Sequence, residues 1–155
     1  MSVSASKMLF CVLGAALYCL GGCGKTSDTP QVVPVNGTVT LDGKALADAT
    51  VRFIPVDPKA NGGAGKTDAE GKYSIAHATN LGVVPGSYKV VIEQYKSRDG
   101  KTYKIEEGMD IEQLKMQNLV QQALLPRYSD FSKTELTAEV SAGQPNVIGF
   151  DLKGT

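Results

Sequence analysis

The sequence predicts an all-β fold, a seven-stranded antiparallel β-sandwich with one inserted amphipathic helix. Three observations predict it: side chains alternate with period two in several short runs, Gly, Pro and Asp-Gly turn signals separate those runs, and one segment alone changes to helical spacing. The first strand lies at 35–41, where Val35, Gly37, Val39 and Leu41 fall on one face and Asn36, Thr38 and Thr40 on the other. Asp42-Gly43 then reads as a tight turn. A second strand covers 50–56, with Val51 and Phe53 inward and Pro55 loosening its end. Lys66 and Thr67 close a short third strand, residues 68–71 turn, and Tyr73 and Ile75 form the buried side of a fourth. In "VVPGSYKVVIEQY", Tyr88, Val90 and Ile92 share one face, while Lys89 and Glu93 share the other. Leu136, Ala138 and Val140 mark the sixth strand, and Ile148, Phe150 and Leu152 mark the seventh.

Between the fifth and sixth strands the period changes. Met116, Leu119, Val120, Ala123 and Leu124 recur at i, i+3, i+4, i+7 and i+8, and Asp110 with Gln113 has capping-box spacing. The spacing predicts a helical insertion at about 109–125, ended by Pro126 and packed on the sandwich as a lid or used as a docking element.

The first two dozen residues differ from the rest. Lys7 precedes an apolar run over 8–20, followed by the small residues of "LGGC". As a helix that run would reach only about 20 Å, short of a bilayer's hydrocarbon core of ~30 Å, so it reads as a cleaved export signal. Leu20, Gly21, Gly22 and Cys23 resemble the lipobox of bacterial lipoproteins. That resemblance implies cleavage before Cys23 and a thioether-linked diacylglycerol on its sulfur. The small side chains admit an extended backbone to a protease cleft, and the thiol is the group that can be alkylated. The expected organisation is a lipoprotein signal peptide at 1–22, a lipidated N-terminus and tether at 23–33, and a sandwich domain at 34–155. Localisation follows: a membrane-anchored protein exported to the periplasm or cell surface. Cys11 and Cys19 leave with the signal and Cys23 takes the lipid, so the mature domain has no thiol to pair and rests on its core alone.

The 155 residues include sixteen basic and sixteen acidic groups, a balance that implies no nucleic-acid partner. "ANGGAGKT" at 60–67 fits a phosphate-binding loop with alanine allowed at its first position. Such a loop needs a buried strand before it and a helix after it, whose N–H groups hold the phosphates. Here a proline-interrupted strand exit precedes it and "DAEGKYSI" leads at once to another strand, so no nucleotide site is expected. The reading is a flexible loop over 61–65 with Lys66 as a solvated strand-end charge. His77 is the sole histidine, no His/Cys spacing of a metal site exists, and no GxSxG elbow is present. Asp68 and Glu70 beside Gly71 read as a turn, not a calcium loop. No catalytic residue, metal or cofactor is therefore assigned. Tyr95, Tyr103 and Tyr128 lie in the less regular regions, as core contacts or as a stacking platform for sugars or peptides.

With its strands placed, the chain resembles small bacterial lipoproteins with a carboxypeptidase regulatory-like domain, a transthyretin-like or Ig-like Greek-key sandwich. The matching stretches are "VNGTVTLDGKALADATVRFIP", "GKTDAEGKYSI", "VPGSYKVVI", "LLPRYSD" and "LTAEVSAGQPNVIGFDL". The resemblance implies fold and no catalytic residues, because this domain accompanies carboxypeptidases without containing their zinc site. The leading expectation is a non-catalytic lipid-anchored envelope or surface protein with a structural or protein-interaction role, its membrane partner reached through acylated Cys23. A carbohydrate- or peptide-binding module comes second, and a hydrolase is a remote third.

Overall fold

The computed structural model describes residues 31–98 and 111–154. The expected signal peptide at 1–22, with Leu20, Gly21, Gly22 and Cys23, most of the expected tether, Tyr103 and Asp110 lie outside the described residues. Within them the chain is all-β, two larger sheets that share one core and a separate two-stranded sheet, with helix confined to two short pieces.

The first sheet is built around β1 (Val35–Leu41). One edge of β1 receives β5 (Lys72–Ser74) and β2 (Lys44–Ala45), both antiparallel. The other receives β12 (Asn146–Val147) and β13 (Phe150–Leu152), both parallel. These two pairings depart from the antiparallel expectation, and the reason lies in the connection. A parallel neighbour needs a crossover, which residues 141–145 supply by carrying the chain from the second sheet to the first. The single strand expected at 146–152 is interrupted at Ile148 and Gly149, with the same register on both sides: Val35 faces Asn146 and Val39 faces Phe150.

The second sheet runs β11 (Thr137–Val140), β8 (Gly86–Glu93), β3 (Thr50–Pro55), β4 (Gly63–Lys66), β6 (Ala76–His77) and β7 (Asn80–Leu81). Beyond Glu93 the long strand continues as β9 (Tyr95–Ser97), which pairs with β10 (Val120–Gln122).

Alternation put the expected faces inward. Val35, Val39, Val51, Phe53, Ile75, Tyr88, Val90, Ile92 and Leu152 are all buried in one cluster between the sheets, with Tyr73, Ala138, Val140 and Phe150. Leu41, Leu136 and Ile148 are only partly buried at its margin. Phe53 centres the cluster: its ring lies 5.7 Å from Tyr88, 6.4 Å from Tyr73 and 6.5 Å from Phe150. Both buried tyrosines end on backbone oxygens, Tyr73 donating to Ile148 O (2.7 Å) and Tyr88 to Val84 O (2.5 Å). The second bond, from a strand-start tyrosine to a carbonyl four residues upstream, is the device of the tyrosine corner in other sandwiches. Burial raises the pKa of both hydroxyls.

That shift has a pH consequence. The unfolded chain releases the Tyr73 proton near pH 10 while the folded chain holds it, so the unfolded state binds fewer protons above that pH. Stability is therefore unaffected below about pH 10 and falls as pH rises beyond it. Tyr73→Phe is expected to flatten the fall of melting temperature between about pH 9 and 11 relative to the parent. An unchanged slope would remove Tyr73 from the account.

The helical insertion at about 109–125 is corrected. The described helix, α1 (Ile111–Met116), ends where Asn118 takes a left-handed φ of 59°. Leu119 N–H then bonds to Leu114 O and Asn118 N–H to Lys115 O, the paired bonds of a Schellman stop. Met116 and Leu119, expected on the buried stripe, are 81% and 47% exposed. Val120 is buried, but as part of β10. Pro126 opens a helix where it was expected to close one: it is the first residue of α2 (Pro126–Ser129), where its missing N–H costs nothing. The glycine-rich loop expected over 61–65 is corrected too, because β4 begins at Gly63.

Candidate functional site

Alternation that buries one face of β3 and β8 leaves the other facing outward. On it stand Arg52 and Ile54 from β3 and Lys89, Val91 and Glu93 from β8, with Arg52 opposite Val91 and Ile54 opposite Lys89. The chain after α2 lies along this face: Thr134 donates its hydroxyl to Val90 O and Val90 N–H bonds to Leu136 O. Asp130 holds the turn, its Oδ1 accepting from Ser132 N (2.8 Å) and Ser132 Oγ (2.6 Å). These bonds pull the Asp130 carboxyl below the usual aspartate range, the Ser132 hydroxyl contributing most. The turn sets Phe131 upright, 52% exposed, with Lys89 Nζ 5.1 Å from its ring centre.

Three adjoining hollows result. One, of about 520 Å³, is walled by Tyr95, Lys115, Gln122, Asp130 and Phe131 over Glu93. The next, about 390 Å³, shares Glu93, Ser129 and Phe131 with it and adds Arg52, Ile54 and Val91. A third, about 420 Å³, shares Arg52 and Ile54 with the second and reaches His77. The shared residues place the three hollows side by side, a shallow trough along the outer sheet face among the described residues.

A string of charges lines the trough. Arg52 Nη1 lies 3.7 Å from Glu93 Oε2, and Tyr95 donates its hydroxyl to Glu93 Oε1 at 2.8 Å. Lys115 Nζ sits 4.6 Å from the Tyr95 ring centre and 2.7 Å from Glu112 Oε1. Loss of water raises the Tyr95 pKa, and the Glu93 carboxylate adds to this. Partial burial opposes the charge on Lys115, but its bonds to Glu112 and Tyr95 prevail and its pKa lies above the ordinary lysine value. Such partly exposed pairs add little stability. Their effect is positional, setting the Tyr95 ring and the Arg52 guanidinium in the walls of the trough.

One joint supports this arrangement and has no signal in the sequence pattern. Gln122 Oε1 accepts from Gln94, Ala123 and Leu124 N–H, while buried Gln94 sends its Nε2 to Ala47 O. The two amides close the sheet where β8 passes into β9 and so fix Tyr95.

Tyr95 and Tyr128 are not brought together. Tyr95 walls the trough, whereas Tyr128 is 8% exposed in the core and accepts from Lys153 N–H. The aromatic that does share Tyr95's hollow is Phe131. Its isolation in the polar run "YSDFSKTE" is the signal that could have found it. His77 Nδ1 is 2.7 Å from Gly62 O, and the residues lining its hollow include no carboxylate or hydroxyl. Ser129 commits its hydroxyl to Leu125 O. In the "GKT" stretch, Lys66 pairs with Asp48 at 3.3 Å. Thr67 is buried, and its hydroxyl accepts from Ala49 N–H and donates to Ala49 O. Gly65 is needed for packing, since a Cβ there would come within 2.2 Å of Ser74 O. Asp68 Oδ1 accepts from Glu70 and Lys72 N–H and so closes a turn. Among the described residues no cluster of three or more His, Cys, Asp or Glu side chains is placed to hold a metal ion, and no helix is long and apolar enough to cross a membrane.

No protein-family model, curated protein or solved structure matches the chain.

Proposed function

We propose that the protein is a non-catalytic, lipid-anchored envelope or cell-surface protein. Its carboxypeptidase regulatory-like sandwich serves protein interaction through the outer-face trough. The observation that supports this reading is the trough itself, an elongated hollow with Arg52, Tyr95 and Phe131 on its walls. Arg and Tyr are enriched where protein surfaces carry most of their binding energy. The alternating charges of Arg52, Glu93, Lys115 and Glu112 suit an extended polar segment of either sign better than a strongly charged polymer.

A photo-crosslinking residue in place of Phe131, compared with one at exposed Glu70, tests the reading in intact envelopes. The expected result is a discrete adduct from position 131 that is absent from position 70. Glu93→Ala, which removes the acceptor for both Arg52 and Tyr95, should cut its yield by about tenfold, a loss of about 1.4 kcal/mol. Equal adducts from both positions would reject it.

The presence of Tyr95 and Phe131 in one hollow also favours the second reading, a carbohydrate- or peptide-binding module, because aromatic faces stack on sugar rings as readily as on side chains. An adduct removed by glycosidases and resistant to proteases would decide for that reading.

A further inference from the structure

The two ends of the sandwich differ in charge. The starts of β1, β8 and β12 and the end of β11 meet at one end, where Val33 N–H bonds to Val83 O and Val56 N–H to Ser87 O. The segments there, 31–34, 56–62, 75–85 and 141–146, carry only Asp57 and Lys59 as full charges besides His77. At the opposite end, 42–49, 66–72 and 151–154 carry a charge on about every second residue. The sparsely charged end also holds a cleft of about 520 Å³ walled by Val32, Pro34, Pro85, Ala142 and Pro145. Three large aliphatic side chains of the segments at or next to this end are exposed: Val56, Leu81 and Val147, at 64%, 69% and 78%.

This is also the end at which the chain leaves toward Cys23. Between Cys23 and Gln31 lie seven residues, "GKTSDTP". A small, polar tether of that length reaches roughly 15 Å. Even fully extended it spans no more than about 27 Å, so this end, and not the far one, is the end that the tether holds nearest to a membrane carrying Cys23. We infer that the sparsely charged end rests on the lipid surface, with Val56, Leu81 and Val147 entering the headgroup–acyl boundary. The inference rests on the lipid-anchor reading. The anchor supplies the affinity, and the patch, too small to bind alone, sets the orientation. Hydrated charges are thereby kept in water at the opposite end, together with Tyr95 and Lys115 of the trough.

The test uses the full acylated protein on phosphatidylethanolamine/phosphatidylglycerol vesicles containing headgroup-spin-labelled lipid. A fluorophore is attached through Gln144→Cys or, at the far end, Glu70→Cys. The expected result is several-fold stronger quenching at 144 than at 70. Leu81→Asp with Val147→Asp, both surface changes that leave the core intact, should remove most of that difference while the chain stays on the vesicles. Equal quenching at the two labels with Cys23 acylated, or a difference that survives the double aspartate variant, would overturn the inference and leave the anchor standing. An unacylated Cys23 with no vesicle binding would overturn both.

Discussion

Gly37→Ala is expected to lower the melting temperature by roughly 10–20 °C, since its added Cβ would make the closest contact among the described glycines. A Cβ at residue 37 would lie 1.7 Å from Ile148 O, 2.7 Å from Ile148 C and 2.8 Å from Tyr73 Cε1. Two of these atoms are backbone, so no rotamer change relieves the clash. The Ile148 peptide is moreover held from both sides, its N–H bonding to Asn36 O at 2.8 Å and its oxygen accepting from Tyr73 at 2.7 Å. Moving it breaks both bonds and parts β1 from the segment joining β12 to β13. Overpacking together with lost buried hydrogen bonds comes to about 3 kcal/mol or more, against a total stability on the order of 5–15 kcal/mol. Gly149→Ala is the control, because its nearest neighbour would be 3.6 Å away, an ordinary contact. Circular dichroism melts of the two variants separate the outcomes: similar melting temperatures would mean that Gly37 does not mark a close approach.

Phe53→Ala should destabilise by about 3–5 kcal/mol, the usual cost of emptying an aromatic site in a core. Phe53 is 1% exposed and touches rings contributed by both sheets, Tyr88 in its own and Tyr73 and Phe150 in the other. Its loss opens the sandwich at its centre, and collapse around the gap is limited because Tyr73 and Tyr88 are pinned by their hydroxyls. Phe53→Leu should recover about half of the loss by refilling part of the volume. The neighbouring Arg52 points to the trough and is more than half exposed, so Arg52→Ala should change stability by less than about 0.5 kcal/mol. Urea titration of the three variants checks the ordering. A Phe53→Ala loss no greater than that of Arg52→Ala would contradict the assignment of faces along β3.

The faces were legible because period two leaves little choice. Once Val51 and Phe53 point inward, Arg52 and Ile54 must point outward, and the same logic placed Tyr88, Val90 and Ile92 opposite Lys89 and Glu93. The floor of the trough was therefore readable in the sequence as the complement of the core. Its walls were not. Tyr95, Lys115 and Gln122 come together through the pairing of β9 with β10, a contact between distant segments of three residues each that no local period reports. The helical spacing of Met116, Leu119, Val120, Ala123 and Leu124 was real but misleading, since Val120 is buried as part of β10 and Leu124 in the bend that follows it. Asn118 was the available warning, as asparagine tolerates the left-handed conformation that ends a helix. The parallel entry of β12 and β13 beside β1 was hidden for a different reason: alternation identifies a strand and its buried face, not the direction of its neighbour.

The proposed tethering, orientation and outward presentation of the trough all depend on one covalent event at Cys23. Intact-mass measurement of the protein extracted from its native membrane tests it most directly. The account predicts a chain that begins at Cys23 and carries a thioether-linked diacylglycerol. A chain that retains residues 1–22, or begins with an unmodified Cys23, would contradict it.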